Sequence, residues 1–170
     1  MQNFSQLLQR LADAGLEFVL VGGFAAVAHG SFHLTRDVDI CAVLTEENVA
    51  KLRQALGEWN PKHRMTPQKL SFLLHPPAGE AGNNLYLQTD MGMVDILTSI
   101  KGVGDFQRLC ATAEELEVDG RRFRVISLED LITAKEAMGR EKDLLTAKEL
   151  RAIAAKRQGK ASQTPRPNPV

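Results

Sequence analysis

A chain of 170 residues with 44% hydrophobic side chains can bury one real core and is too short for several domains. Its formal charge is zero, and Lys156, Arg157, Lys160 and Arg166 sit in an acid-free final stretch, so residues 1–155 hold 17 basic and 21 acidic side chains. That mildly acidic body excludes a broad basic nucleic-acid groove, and no apolar run is long enough to span a bilayer.

Residues 3–15 set Phe4, Leu7, Leu8, Leu11 and Ala12 on one helical stripe, with Asn3 or Ser5 as cap and Gly15 as stop. Residues 17–21 read as a buried strand, which Gly22 and Gly23 break. The small residues Ala25, Ala26 and Ala28 then predict a second helix, 22–29, able to lie close on a sheet. After a loop at 31–35 comes a strand with Val38, Ile40, Ala42 and Leu44 on one face and Asp37, Asp39 and Cys41 on the other. Thr45 caps a third helix with Glu46 and Glu47 in its first turn, and Val49, Leu52, Leu56 and Trp59 form its buried stripe.

Residues 60–67 are polar and basic, and 68–74 suit a short helix or a strand equally. Residues 76–84 are loop by composition. The apolar runs 85–88 and 93–97 predict a hairpin, and Gly102 and Gly104 a plain turn before a short helix at 105–110. Asp119-Gly120, flanked by 115–118 and 121–126, is the strongest hairpin signal. Ser127 and Asp130 form a capping box opening a helix through Leu128, Leu131, Ile132, Lys135, Ala137 and Met138. A last helix, about 141–156, turns Leu144, Leu145, Leu150 and Ile153 inward, and 158–170, with three prolines, reads as a disordered tail. The division expected is therefore a core over 1–126, a helical segment packed on it over 127–157, and the tail.

Chemistry points to the strand at 37–41. Two carboxylates on one strand face repel, so a cation is expected between them, and a hard divalent ion with phosphate co-ligands suits that pair. The glycine turn at Gly22 and Gly23 opens a helix whose first amides could cradle a phosphate beside them. Asp95 interrupts the apolar run Met93, Val94, Ile96 and Leu97, where an unpaired charge is costly, and is the candidate third acid; Asp90, before Gly92, is explained by a turn. His29 and His33 are separated by Gly30 with no further ligand nearby, which argues against zinc. Cys41 reads as a small apolar filler. Two cysteines without paired spacing and no signal-peptide pattern predict a reducing cytoplasm.

Gly22-Gly23, Gly30, Thr35 and Asp37-Val38-Asp39-Ile40, with Met93-Val94-Asp95-Ile96-Leu97 and the segment from Ser127 through Lys135 to Lys142-Asp143, resemble the DNA polymerase β-type nucleotidyltransferases. The likeness is to the small prokaryotic branch of AbiEii-like toxins, minimal nucleotidyltransferases and antibiotic nucleotidyltransferases. The resemblance implies an α/β (α+β) fold, a short mixed sheet with helices mainly on one face and helices at the C-terminal end. It also implies Mg2+ or Mn2+ held by Asp37, Asp39 and Asp95 in a two-metal site, with ATP or another nucleoside triphosphate as donor. Gly22, Gly23, His33, Thr35, Lys135 and Lys142 are then the candidate nucleotide-binding residues. His33 stands where many relatives carry an arginine, an imidazole in place of a permanently charged fork. The activity implied is transfer of a nucleoside monophosphate, AMP from ATP, to a hydroxyl of a protein, RNA or small molecule, in a toxin–antitoxin or phage-defence setting. The alternative is a catalytically weak or inactive protein-binding module of the antitoxin kind.

Overall fold

The structure is a computed structural model that describes residues 4–76 and 83–163. In chain order the elements are α1 (Phe4–Asp13), β1 (Val19–Val21), α2 (Gly22–Ala28), β2 (Asp37–Cys41), α3 (Glu46–Leu56), β3 (Lys62–His63), β4 (Leu85–Thr89) and β5 (Gly92–Leu97). There follow β6 (Ser99–Ile100), β7 (Gly104–Asp105), α4 (Phe106–Cys110), β8 (Glu114–Val118), β9 (Arg121–Val125), α5 (Leu128–Met138) and α6 (Glu141–Ser162). Seven strands make one mixed sheet in the order β3-β4-β5-β2-β1-β9-β8, and β6 pairs with β7 apart from it.

Strand β2 sits in the middle of this sheet, antiparallel to β1 and parallel to β5. Its alternation sends Val38 and Ile40 into the core beside Leu20, Val94 and Ile96, all fully buried, while Asp37 and Asp39 take the other, half-open face. Burying five aliphatic side chains of this size contributes on the order of 10 kcal/mol. The parallel register sets Asp37 opposite Met93 and Asp39 opposite Asp95, so the third acid lies one strand away, as the apolar run around it implied.

Local signals are obeyed at the helix starts. The Thr45 hydroxyl accepts from the Asn48 N–H at 3.1 Å, and the Ser127 hydroxyl from the Asp130 N–H at 3.2 Å. The Asp130 side chain is also hydrogen-bonded to Ser127. Its carboxylate accepts from Arg108 at 3.0 and 3.1 Å and from the Thr112 hydroxyl, tying α4 to α5. The segment left open at 68–74 is neither helix nor strand but a series of turns, joined to Lys62 by a single bridge at Ser71.

Two expectations about the last helix change. Leu150 is buried as expected, but Leu144 and Leu145 are exposed, and α6 buries Asp143, Thr146 and Ala147 beside Leu150. Ion pairs at Asp143, described below, select that face over the more apolar one. The helix also continues through 158–162, read from sequence as tail, because Gln158, Lys160, Ala161 and Ser162 are compatible with a helix and the prolines begin only at Pro165. The Asn3 cap, most of the 76–84 loop and 164–170 lie outside the described residues.

Candidate active site

Asp39 is held by the turn that precedes it in space. Gly22, with φ +67°, opens α2 in a left-handed conformation, and a Cβ there would lie 2.0 Å from Asp39 Oδ2. Only glycine therefore lets the turn lie against the carboxylate. The Gly23 N–H donates to Asp39, so one amide of the expected phosphate cradle is already engaged by the acid. A Cβ on Gly23 would meet the Thr35 hydroxyl at 2.9 Å, and that hydroxyl donates to the Asp37 carbonyl oxygen at 3.0 Å. Glycine pair, Thr35 and the two acids thus form one packed unit.

Electrostatics in this unit are strained. Burial raises the Asp39 carboxyl to about 6, with the nearby charges of Asp95 and Asp37 pushing the same way and Lys135 and the Gly23 amide opposing them. Burial also raises Asp95, against the pull of Arg64. Asp37 Oδ1 and Arg64 Nε are, among the described residues, the buried side-chain polar atoms without a hydrogen-bond partner, and both belong to this site. An orphaned carboxylate oxygen beside a second desolvated carboxylate is what a divalent cation would satisfy. No three His, Cys, Asp or Glu side chains among the described residues are grouped to hold a metal by themselves. Asp37 and Asp39 accordingly fit an ion whose remaining ligands are phosphate and water oxygens.

Arg64 is the site residue that sequence reasoning missed. The register across the sheet runs Val21, Asp39, Asp95, Tyr86, and the Arg64 N–H donates to the Tyr86 carbonyl oxygen at 2.8 Å, so Arg64 continues the same row. Its side chain passes over the Tyr86 ring, 5.7 Å from the centroid, and Nη2 bonds both oxygens of Asp95, the Oδ2 contact at 2.5 Å. Nothing local in the basic stretch at 60–67 marks this residue. The pairing of β3 with β4, across 21 intervening residues, brings it there.

Two clefts meet at the carboxylates. One, of about 530 Å³, is lined by Gly23, His33, Thr35, Asp37 and Lys142 among others, so it gathers most of the residues expected from sequence. The other, of about 430 Å³, has Gly22 at its edge and walls of Tyr86, Leu97, Ile100, Leu131 and Met138. Asp39, Asp95, Lys135, Arg140 and Asp143 line both.

The candidate basic residues differ in how they are held. Lys135 Nζ lies 3.0 Å from Asp143 Oδ1 and Arg140 Nε 2.5 Å from Oδ2, locking the buried Asp143 between α5 and α6. These contacts hold the Asp143 carboxyl below the usual carboxylate range against the opposing effect of burial. Lys142 is exposed at the rim. His33 Nδ1 is 2.7 Å from Glu149 and 3.1 Å from the Ser31 hydroxyl, which fixes the ring from α6. His29 belongs elsewhere: its buried ring donates from Nε2 to the Ile126 carbonyl at 2.7 Å and accepts at Nδ1 from Arg157, a structural clamp and no zinc ligand. Cys41 is fully buried, its thiol pushed up to about 12 chiefly by burial, in keeping with a filler.

Comparison with known proteins bears on the fold that carries this site. Residues 85–164 match the family model described as "Nucleotidyl transferase of unknown function (DUF2204)". The lincosamide antibiotic adenylyltransferase LnuA, solved with lincomycin bound, has a similar structure: 18% identity, 88% of this chain and 95% of that one covered, TM-score 0.60. The antibiotic-resistance factor ANT(2'')-Ia is 14% identical, with 95% and 96% covered and a TM-score of 0.55. TM1012 from Thermotoga maritima, described as a candidate nucleotidyltransferase, is 20% identical, with 90% and 91% covered and a TM-score of 0.54. No curated protein sequence matches the chain. The chain has the fold of the nucleotidyltransferases over nearly its whole length, and its resemblance to the DNA polymerase β-type superfamily rests on that fold together with the family match over 85–164.

Proposed function

We propose that this protein transfers a nucleoside monophosphate, AMP from ATP, to a hydroxyl group. The observation that carries the reading is the carboxylate pair Asp37 and Asp39, desolvated and partly unsatisfied, at the junction of two clefts. Mg2+ or Mn2+ at this pair, when bound, neutralises phosphate charge and polarises the phosphorus undergoing attack. The more polar cleft, with His33, Thr35 and Lys142 along it, suits the triphosphate, and the cleft walled by Tyr86, Leu97, Ile100 and Met138 suits the acceptor.

In such a reaction the acceptor oxygen forms a bond to the α-phosphorus in line with the departing pyrophosphate, whose bridging P–O bond breaks. Asp95 faces the reacting region and is the group positioned to take the acceptor's proton. Lys135, shared by both clefts, supports the phosphate charge, and Tyr86 of β4 and Leu97 of β5, in the wall of the second cleft, would keep the acceptor aligned. The antibiotic adenylyltransferases among the structural relatives make a small polyhydroxylated molecule one acceptor class to test; a partner protein or an RNA end are the others.

The test is incubation of the purified protein with Mg2+ and α-32P-labelled nucleoside triphosphates, alone and with lincosamides, aminoglycosides, tRNA and the products of adjacent genes. Label should move to one acceptor with release of pyrophosphate, and Asp39→Asn should lower the rate by at least about 100-fold, as loss of a charge-stabilising group does. Equal labelling by wild type and Asp39→Asn would reject the assignment.

A further inference from the structure

The placement of Arg64 bears on how many metal ions the site takes. Resemblance alone implies two ions and three carboxylates. Here Asp95, the acid that a second ion would need, has both its oxygens bonded by one guanidinium nitrogen. This contact is built, not incidental. The Arg64 backbone is fixed by its N–H bond to the Tyr86 carbonyl, its side chain lies over the Tyr86 ring, and three-quarters of that side chain is out of solvent. Its charge also acts, more weakly, on Asp37 and Asp39, while its hydrogen bonds go to Asp95.

We infer that Arg64 takes the place of the second metal ion, so that the protein works with a single divalent cation, held by Asp37 and Asp39, and a guanidinium fixed on Asp95. The inference rests on the nucleotidyltransferase reading and specifies its metal use. A cation beside Asp95 and a cation between Asp37 and Asp39 would together neutralise the three carboxylates, leaving the triphosphate to complete the first ion's shell. A further divalent ion at Asp95 would have to approach a guanidinium already seated there, and like charges a few ångströms apart at low dielectric repel strongly. Arg64 in turn holds the Asp95 carboxylate in one orientation through both its oxygens. Arg64 is thus a positioning residue for Asp95 and a fixed substitute for an exchangeable ion.

The experiment counts ions. Mn2+ is titrated into the protein saturated with α,β-methylene-ATP, and bound Mn2+ is read from the loss of the free-ion electron paramagnetic resonance signal. Wild type is expected to bind a single Mn2+ per nucleotide complex. Arg64→Met, which keeps length and removes charge, is expected to admit a second; Arg64→Lys, which keeps the charge, is not. Circular dichroism and retention of the first ion establish that each variant is folded. Two ions in the wild-type complex would overturn the inference without touching the functional reading, and this arm needs no variant. A single ion in both wild type and folded Arg64→Met would also overturn it. No nucleotide-dependent Mn2+ in wild type would instead overturn the reading of the site as metal-dependent, and the inference with it.

Discussion

At the scale of single residues, Asp39 carries the most information. In water its carboxyl would titrate near the usual value, 3.8, whereas in the folded protein it titrates near 6, mainly through burial. The folded chain therefore holds this proton more tightly than the unfolded chain does. Stability falls as pH rises from about 4 to about 6 and stays reduced above, at a cost of at most about 3 kcal/mol by proton linkage. Asp39→Asn removes the charge and keeps the shape. In chelator-containing buffer it should be more stable than wild type at pH 7 in urea denaturation, with the advantage shrinking as pH falls toward 4. A difference of the same size at every pH would show that Asp39 is not under electrostatic strain. The same proton competes with a cation, so metal affinity should weaken below about pH 6.

At the scale of elements, the junction of α5 and α6 shows both what sequence reveals and what it hides. Ser127 as cap, the start of the last helix near Glu141 and the Asp119-Gly120 hairpin were legible, because each depends on a few neighbouring residues. Strand β2 and its two-faced alternation were legible for the same reason. The buried face of α6 was not. Leu144 and Leu145 favour one side, but Asp143 makes two ion pairs, to Lys135 of the preceding helix and to Arg140, and Glu149 accepts from the Phe32 N–H at 2.9 Å, so polar contacts across elements rotate the helix. Arg64 was hidden likewise, since its partner lies 31 residues on. Asp143→Ala should destabilise the protein by about 3 kcal/mol, because it leaves the mostly buried Lys135 ammonium without its partner. Loss of less than about 1 kcal/mol in chemical denaturation would place the junction's stability in apolar packing alone.

At the scale of the whole molecule, a central strand pair, β2 and β5, presents three acids on one face while its other face anchors the core. The fold thereby separates stability from chemistry: Val38, Ile40, Val94 and Ile96 hold the strands in register, and that register sets Asp39 opposite Asp95. Helices α5 and α6 bring Lys135, Arg140 and Lys142 to the same place from later in the chain. No described helix is long and apolar enough to cross a membrane. The central claim is that this acidic face holds a divalent cation together with a nucleoside triphosphate. Its most direct test is the melting temperature of wild type and Asp39→Asn with and without Mn2+ and ATP together. Ligand at a hundredfold excess over its dissociation constant stabilises the folded state by about 2.7 kcal/mol, so wild type should melt several degrees higher. Asp39→Asn should lose most of that shift, and an Asp39→Asn protein that keeps the full Mn2+- and ATP-dependent shift would contradict the account.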